Sequence, residues 1–243
     1  MRTVLAHISR KELKKDEIRD TFAHGAEAVL SHQQLTMYLV IAALVVALGF
    51  FGWKTYTERQ TTRASAAFDD AMADFQARVI APGETAQPGE LTYTDDKTKF
   101  GDSSKKFAAV ASQYPHTRPG QLAKYYEGLS LERLDKNDDA KKLLQEVADG
   151  GDPEFSAMAR YELAGLQDRT NKPDEALKLY QQLLAKPTVL VPKPVVLLAL
   201  AEHYSPKNPT EAAKYFKQIN TEYPGTPIAQ QAEQELALLP GQS

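Results

Sequence analysis

The chain has 243 residues, of which 42% are hydrophobic and 25% are charged, proportions that are ordinary for a folded protein. A formal net charge of −3 gives no general attraction to nucleic acid, so a nucleic-acid-binding protein is disfavoured. The absence of cysteine excludes disulfides, thiolate metal sites and cysteine nucleophiles.

The N-terminal tail, residues 1–34, begins with a pattern typical of a helix start. Ser9 is followed three residues later by Glu12, as in a capping box, and a helix-forming run continues to about Leu30. Its apolar stripe is narrow, so a short solvated helix is favoured over a docking element for a membrane partner. Six basic and five acidic residues nearly balance, which disfavours a mitochondrial transit peptide.

The next element is an apolar run from Leu35 to Trp53, LTMYLVIAALVVALGFFGW, which contains no Asp, Glu, Lys or Arg. As a helix it would span about 28 Å, close to the thickness of bilayer hydrocarbon. A buried core helix would usually be shorter and carry a polar face. A cleaved signal peptide would have a shorter apolar region and a nearer cleavage motif. The sequence therefore predicts an uncleaved transmembrane helix over residues 35–53.

The charges that flank this helix leave its orientation open. Residues 1–34 hold six basic side chains, and residues 54–73 hold three, which favours a cytoplasmic N-terminus. Residues 15–34, which lie nearest the membrane, hold only two. An inverted topology with a cytosolic domain therefore stays an alternative on charge alone.

Residues 54–243 consist mainly of helix formers and contain an internal repeat. Three stretches align without gaps: DDAKKLLQEV from Asp138, DEALKLYQQL from Asp174 and TEAAKYFKQI from Thr210. Each has an alanine, a large residue four places on and an apolar residue three further on, all on one helical face. These residues are Ala140, Leu144 and Val147; Ala176, Tyr180 and Leu183; and Ala212, Phe216 and Ile219.

A second helix is expected before each of these stretches. Gly128 and Ala164 stand twelve residues before Ala140 and Ala176, and this spacing resembles the tetratricopeptide repeat, in which a small residue of helix A faces the alanine of helix B. The last copy departs from the pattern, because Leu200 occupies the equivalent place. We expect its helix A to be rotated or slipped by one residue.

A degenerate earlier copy and a final helix complete the predicted stack. In the earlier copy, helix A is predicted over about residues 61–79, and helix B carries Ser103, Phe107 and Val110. Residues 81–99, which contain two prolines and two glycines, are predicted to form an exposed loop insertion. A helix over residues 227–238 is predicted to cap the stack.

The predicted fold class is therefore all-α. It consists of an N-terminal single transmembrane helix followed by a tetratricopeptide-like α-solenoid of about four helix-turn-helix repeats with a C-terminal capping helix. The predicted domains are the tail (1–34), the transmembrane helix (35–53) and the repeat domain (54–243).

The whole chain resembles one family of bacterial inner-membrane proteins. The tail containing RKELKKDEIRDTF, the single membrane helix and the repeat units ending in Tyr-Pro resemble the ancillary subunit of the SecYEG translocon, grouped with the cell-division coordinator tetratricopeptide proteins. The resemblance implies a cytoplasmic N-terminus and a periplasmic repeat domain. It also implies protein partners, namely the Sec translocon and a periplasmic prolyl isomerase-type chaperone, and it assigns no catalytic residue.

No residue pattern indicates an enzyme, a cofactor site or a metal site. The five histidines lack the spacing of a metal-binding pair, and no phosphate-binding glycine loop or nucleophile elbow occurs. The adjacent carboxylates Asp138 and Asp139 are better explained by the helix N-terminus that they begin. We therefore expect no catalytic residue and no cofactor.

The candidate binding site is a groove along the helix A face. Aromatic, methionine and acidic side chains there suit an extended or helical peptide. The predicted groove residues are Tyr125, Glu132, Met158, Tyr161, Asp168, Leu197 and Tyr204. For Tyr125 and Tyr161, packing between helices is the favoured alternative.

Two classes of function remain. One is a membrane-anchored protein–protein interaction module of the bacterial envelope, a translocon-associated accessory or chaperone-like adaptor for exported proteins. The other is a structural scaffold in envelope assembly or cell division that acts through self-association. An open groove favours the first class, and a groove filled by the C-terminal helix or the loop favours the second.

Overall fold

A computed structural model describes residues 33–240, so the helix predicted from Ser9 to about Leu30 lies outside the described residues. The described part contains nine helices and two short strands. Helix α1 spans Gln33–Gln76, strands β1 and β2 span Arg78–Val79 and Thr92–Tyr93, and the later helices are α2 (Asp96–Gln113), α3 (Arg118–Arg133), α4 (Asn137–Ala148), α5 (Pro153–Arg169), α6 (Pro173–Ala185), α7 (Lys193–Tyr204), α8 (Pro209–Glu222) and α9 (Pro227–Leu238). The chain divides into one unit that ends at Arg59 and a second that begins at Gln60.

In the first unit, α1 exposes apolar side chains all round. Val46 and Trp53 are each 71% exposed, and no side chain of residues 37–53 is fully buried. Such a helix is unfavourable in water unless a bilayer or another protein covers it. Within residues 33–240, α1 is the one helix long and apolar enough to cross a membrane.

The second unit confirms the predicted stack of helix pairs. The end of α1 packs against α2, where Phe68 and Phe75 meet Phe107. Helix α3 then pairs with α4, α5 with α6 and α7 with α8, and α9 caps the last pair. Asp135 and Asn171, 36 residues apart, both adopt left-handed backbone conformations in the turns between paired helices, with φ of 58° and 59°. Short polar residues tolerate this conformation better than other side chains do.

The small residues of the repeat lie where helices approach most closely. Ala140, Ala176 and Ala212 are completely buried. A Cβ atom on Gly128 would lie 3.0 Å from Leu144 Cγ, closer than two carbon atoms normally pack. Glycine at 128 therefore allows α3 to approach α4, as the spacing predicted.

Helix α7 departs from the other A helices by one residue. Ala201 packs with Ala212 and Phe216, whereas Leu200 packs with Ala176 in the preceding repeat. The residue that faces the helix B alanine is therefore Ala201 and not Leu200. This slip agrees with the expectation for the last copy and lets a leucine fill the space between two repeats.

The segment predicted as a loop contains more structure than expected. The predicted helix A ends at Gln76 rather than Val79, and β1 pairs in parallel with β2, Val79 opposite Tyr93. Helix α2 begins at Asp96, so residues 96–99 belong to a helix and not to the loop. The Asp95 carboxylate caps this helix by accepting a hydrogen bond from the Thr98 amide at 2.7 Å.

Candidate protein-binding face

Two of the predicted groove residues lie in the core and are removed from the candidate site. Tyr125 is 6% exposed and packs with Leu144 and Phe155. Leu197 is completely buried and packs with Phe216. Each side chain packs against helix B of its own repeat and against the next helix along the stack, so neither is available to a partner.

The other five predicted residues are partly buried. Met158 packs against the core clusters on both sides of α5, and Tyr161 packs edge-on against Tyr180 with ring centroids 6.3 Å apart. Tyr204 stacks on Tyr215 at 5.8 Å. These contacts give the three side chains packing roles, while part of each surface stays open.

Polar bonds join α3 to α5 on this face. The Tyr125 hydroxyl donates to Glu162 Oε1 at 3.3 Å, and Arg169 Nη2 donates to Glu132 Oε1 at 2.5 Å. The second oxygen of Glu132, Oε2, is buried and has no hydrogen-bond partner among the described residues. The predicted residue Glu132 is thus half of an ion pair that ties one repeat to the next.

A similar bond joins α5 to α7. His203 Nδ1 lies 2.8 Å from Asp168 Oδ1, and the rings of His203 and Tyr180 meet edge to face at 6.0 Å. Asp168 was predicted to line the groove, and in the structure its carboxylate contacts His203 of the neighbouring repeat.

An open cavity of about 330 Å³ lies beside this bond, and we call it the α5–α7 notch. Gly165 leaves room for it on α5, where an added Cβ would meet only the tip of the Arg169 side chain, at 3.1 Å. Its lining includes Gly165, Asp168, Arg169, Tyr180, Glu202 and His203. Its size and its lining of charged, polar and apolar side chains are suitable for a side chain of a bound polypeptide.

Two carboxyl groups on this face, those of Glu162 and Glu202, have raised pKa values. Burial and the neighbouring charge of Glu132 raise the pKa of Glu162, although Tyr125, Arg169 and Arg133 oppose the shift. Partial desolvation and the charge of Glu235 raise the pKa of Glu202, which remains open to solvent. These shifts mean that the carboxylates sit where negative charge is costly.

Sequence reasoning missed Glu162, Glu202, Glu235 and His203. Glu162 directly follows Tyr161, and Glu202 and His203 precede Tyr204, so the helical register placed them beside the predicted groove. For Glu235, the charge of its helix could have indicated the site, because α9 carries two glutamates and no lysine or arginine. Within residues 33–240, no group of three or more potential ligands is arranged to hold a metal ion.

Comparison with known proteins identifies the repeat. Residues 31–187 match a family model described as a tetratricopeptide repeat-like domain, a span of well over half the chain. The match ends before α7, so the place of α7, α8 and α9 in the stack rests on their packing. No curated protein and no solved structure matches the chain.

Proposed function

The chain belongs to the tetratricopeptide repeat-like family, and from that premise we propose that it is a membrane-anchored protein-binding module of the bacterial envelope. Stacked repeats of this type present extended surfaces that bind other proteins. The apolar part of α1 supplies the anchor, and the helix A face with the α5–α7 notch supplies the binding surface.

The observation that carries this proposal is that the notch is open. None of its lining residues belongs to α9 or to the segment between α1 and α2. The two parts of the repeat domain that could have filled a groove therefore leave this one accessible. That accessibility favours binding of a separate protein over a scaffold whose groove is closed internally.

We further propose that the N-terminus is cytoplasmic and that the repeat domain is periplasmic, in a single-pass protein of the inner membrane. The basic tail and the order of tail, membrane helix and repeats support this arrangement. In that setting the partners would be the Sec translocon and a periplasmic chaperone, and the protein would act as an accessory or adaptor for exported proteins.

Filling the notch tests the proposal. Gly165→Leu places a side chain into it, and the described neighbour of the added Cβ is the flexible tip of the Arg169 side chain at 3.1 Å. Gly101→Leu is the matched control, because Gly101 is also helical and an added Cβ meets nothing within 4 Å. Both variants of the full chain are purified from detergent-solubilised membranes after crosslinking, and the captured proteins are quantified by mass spectrometry.

We expect Gly165→Leu to lose partners that both the wild type and Gly101→Leu retain. Equal capture by all three proteins would contradict binding through the notch. Co-purification of two differently tagged copies, undiminished in Gly165→Leu and with no other protein captured, would instead favour the self-associating scaffold.

A further inference from the structure

Residues 186–192 connect α6 to α7 and present two aliphatic side chains to solvent, and we call them the α6–α7 loop. Val189 is 85% exposed, against 72% for Leu48, the most exposed large hydrophobic side chain of the apolar run in α1. Leu190, next to it, is 51% exposed. Two adjacent aliphatic side chains this open to water gain free energy when an apolar medium covers them.

The backbone of this loop is fixed by hydrogen bonds and by burial. The Glu154 carboxylate accepts bonds from the amides of Val189 and Leu190 at 3.2 and 2.9 Å. The Thr188 amide donates to the Val191 carbonyl at 3.1 Å, and Val191 is 3% exposed in the core cluster of α5, α6 and α7. The exposed pair is therefore already ordered, so covering it costs little conformational entropy.

An open cavity of about 390 Å³ lies beside the loop. Its lining includes the cations Arg160 and Lys186 and contains no carboxylate. Arg160 Nη2 donates to the Ala148 carbonyl at 2.7 Å, a bond that uses one of the five N–H donors of a guanidinium. Lys186 is exposed and forms no salt bridge within residues 33–240. The polar groups next to the aliphatic pair can therefore pair with anions.

The loop lies at the end of the stack at which the chain enters the repeat domain. The rings of Phe75 and Phe100 are 5.5 Å apart and those of Phe68 and Phe107 are 5.6 Å apart, so α2 runs antiparallel to α1. The later helices are joined by short turns and alternate in the same way. Each helix B therefore ends, and the next helix A begins, at the end where Gln60 opens the second unit.

Ion pairs show that the turns at this end are neighbours. Arg118 Nε lies 3.6 Å from Asp152 Oδ2, which joins the start of α3 to the start of α5. Lys193 Nζ, at the start of α7, lies 2.6 Å from Glu222 Oε2 at the end of α8. The α6–α7 loop itself is bonded to the start of α5 through Glu154.

The length of the chain keeps this end of the stack within reach of the membrane. Gln60 follows Trp53, the last residue of the apolar run, by seven residues. Seven residues span at most about 25 Å even when they are fully extended. If the apolar run spans a bilayer, Gln60 lies within that distance of its surface whatever path the intervening chain takes.

We propose that the α6–α7 loop inserts Val189 and Leu190 into the surface of the lipid bilayer that holds the anchor, with Lys186 and Arg160 beside the lipid phosphates. This inference rests on the proposed membrane anchor and is independent of the α5–α7 notch. Aliphatic side chains flanked by basic ones are typical of segments that lie at a bilayer interface.

The small size of the aliphatic pair favours lipid over a second protein. A stable protein interface buries about 800 Å² on each partner, far more than two side chains supply. A domain that is already tethered needs only a weak contact, because the anchor raises the effective concentration of the bilayer at the loop. The contact gives the repeat domain a preferred orientation on the membrane.

The absence of cysteine provides the test, because one introduced cysteine can carry a fluorophore at a single position. Val189→Cys labels the loop. Leu238→Cys is the matched control, since Leu238 is an aliphatic side chain that is 78% exposed and lies where α9 finishes, at the opposite end of the stack. Each full chain is labelled with nitrobenzoxadiazole and placed in nanodiscs of phosphatidylethanolamine and phosphatidylglycerol, which leave both membrane faces accessible.

Two quenchers report what surrounds the label. A phospholipid with a nitroxide headgroup quenches a label in contact with lipid, and aqueous iodide quenches a label in contact with water. We expect the label at 189 to be quenched by the nitroxide lipid and shielded from iodide, and the label at 238 to show the reverse. Adding Leu190→Asp to Val189→Cys places a charge in the inserted pair and should restore quenching by iodide.

Each other outcome overturns the inference. Quenching of the label at 189 by iodide alone would show that the loop stays in water. Shielding from iodide without quenching by the nitroxide lipid would show that protein, such as a second copy of the chain, covers the loop. Equal quenching by the nitroxide lipid at 189 and 238 would mean that the domain adheres to lipid without using the loop.

Failure of this inference can be told apart from failure of the anchor. A chain that does not co-elute with nanodiscs in size-exclusion chromatography would contradict the proposed anchor and, with it, the inserted loop. Co-elution together with a loop that iodide quenches would preserve the anchor and remove only the contact of the loop with lipid.

Discussion

At the scale of single residues, the Glu162 carboxylate has a hydrogen-bond partner, but its surroundings disfavour its charged form. Its side chain accepts the Tyr125 hydroxyl bond, yet burial and Glu132 raise its pKa above the ordinary value. A carboxylate with a raised pKa in the folded state binds its proton more tightly there than in the unfolded chain. The folded state therefore loses stability from this group as the pH rises from the pKa of the unfolded chain to the higher pKa of the folded chain.

This leads to a prediction about pH. Glu162→Gln keeps an acceptor for Tyr125 and removes the charge, so we expect it to melt at a higher temperature than the wild type at about pH 8. The advantage should shrink as the pH falls below about 4, where the wild-type carboxyl is largely protonated in both states. Thermal melts of both proteins across this range give the answer. A constant difference at every pH, or a less stable variant at the alkaline end, would contradict the assignment.

A second residue-scale prediction concerns the segment between α6 and α7. Glu154 accepts hydrogen bonds from the amides of Val189 and Leu190 at 3.2 and 2.9 Å, although Val189 itself is 85% exposed. The bond from Leu190 is the main cause of a lowered pKa for Glu154. We expect Glu154→Ala to speed amide hydrogen exchange at Val189 and Leu190 and to leave exchange in α8 unchanged. Unaltered exchange at both amides would show that the carboxylate does not hold this segment.

At the scale of elements, the helix B alanine controls how closely two helices pack. Ala176 is completely buried among residues of α5, α6 and α7. Ala176→Leu should overpack this contact and destabilise the fold by about 1–3 kcal/mol. The control is Ala237→Leu on the exposed side of α9, which should change the free energy of unfolding by less than about 0.5 kcal/mol. Denaturant melts would disprove the repeat register if the two variants behaved alike.

The large residue of the same motif has the opposite role, because it fills space. Phe216 is 1% exposed and joins α7, α8 and α9 in one cluster. Phe216→Ala should leave a cavity and cost about 3–5 kcal/mol of the free energy of unfolding. The same denaturant melts measure it. A loss below about 1 kcal/mol would mean that the last repeat and its cap do not share a core.

At the scale of the whole molecule, the proposed topology predicts that the repeats lie outside the cytoplasm. We expect a reporter that is active only outside the cytoplasm to be active when it is fused after Ser243, because the tail carries the excess of basic residues. A reporter that requires the cytoplasm should be silent at the same position. The reverse pattern would support the inverted topology and would exclude periplasmic partners.

The sequence by itself determined the helical repeat and the apolar span. A small residue followed at fixed spacing by two bulky ones leaves few ways to pack, so Ala140, Ala176 and Ala212 predicted their helices and the 36-residue register. The run from Leu35 to Trp53 predicted a continuous helix because length and composition are local properties. The capping helix was also predictable, from a proline start and a short apolar stripe.

Only the tertiary structure decided which helix A side chains are buried and which stay exposed. Tyr125 and Leu197 had the right spacing for a groove, but their exposure depends on side chains that other repeats supply. The same is true of Leu200, which fills the space between two repeats while Ala201 faces Ala212. Local spacing therefore specified the helices, whereas burial and charge at the site arise from contacts between residues far apart in the chain.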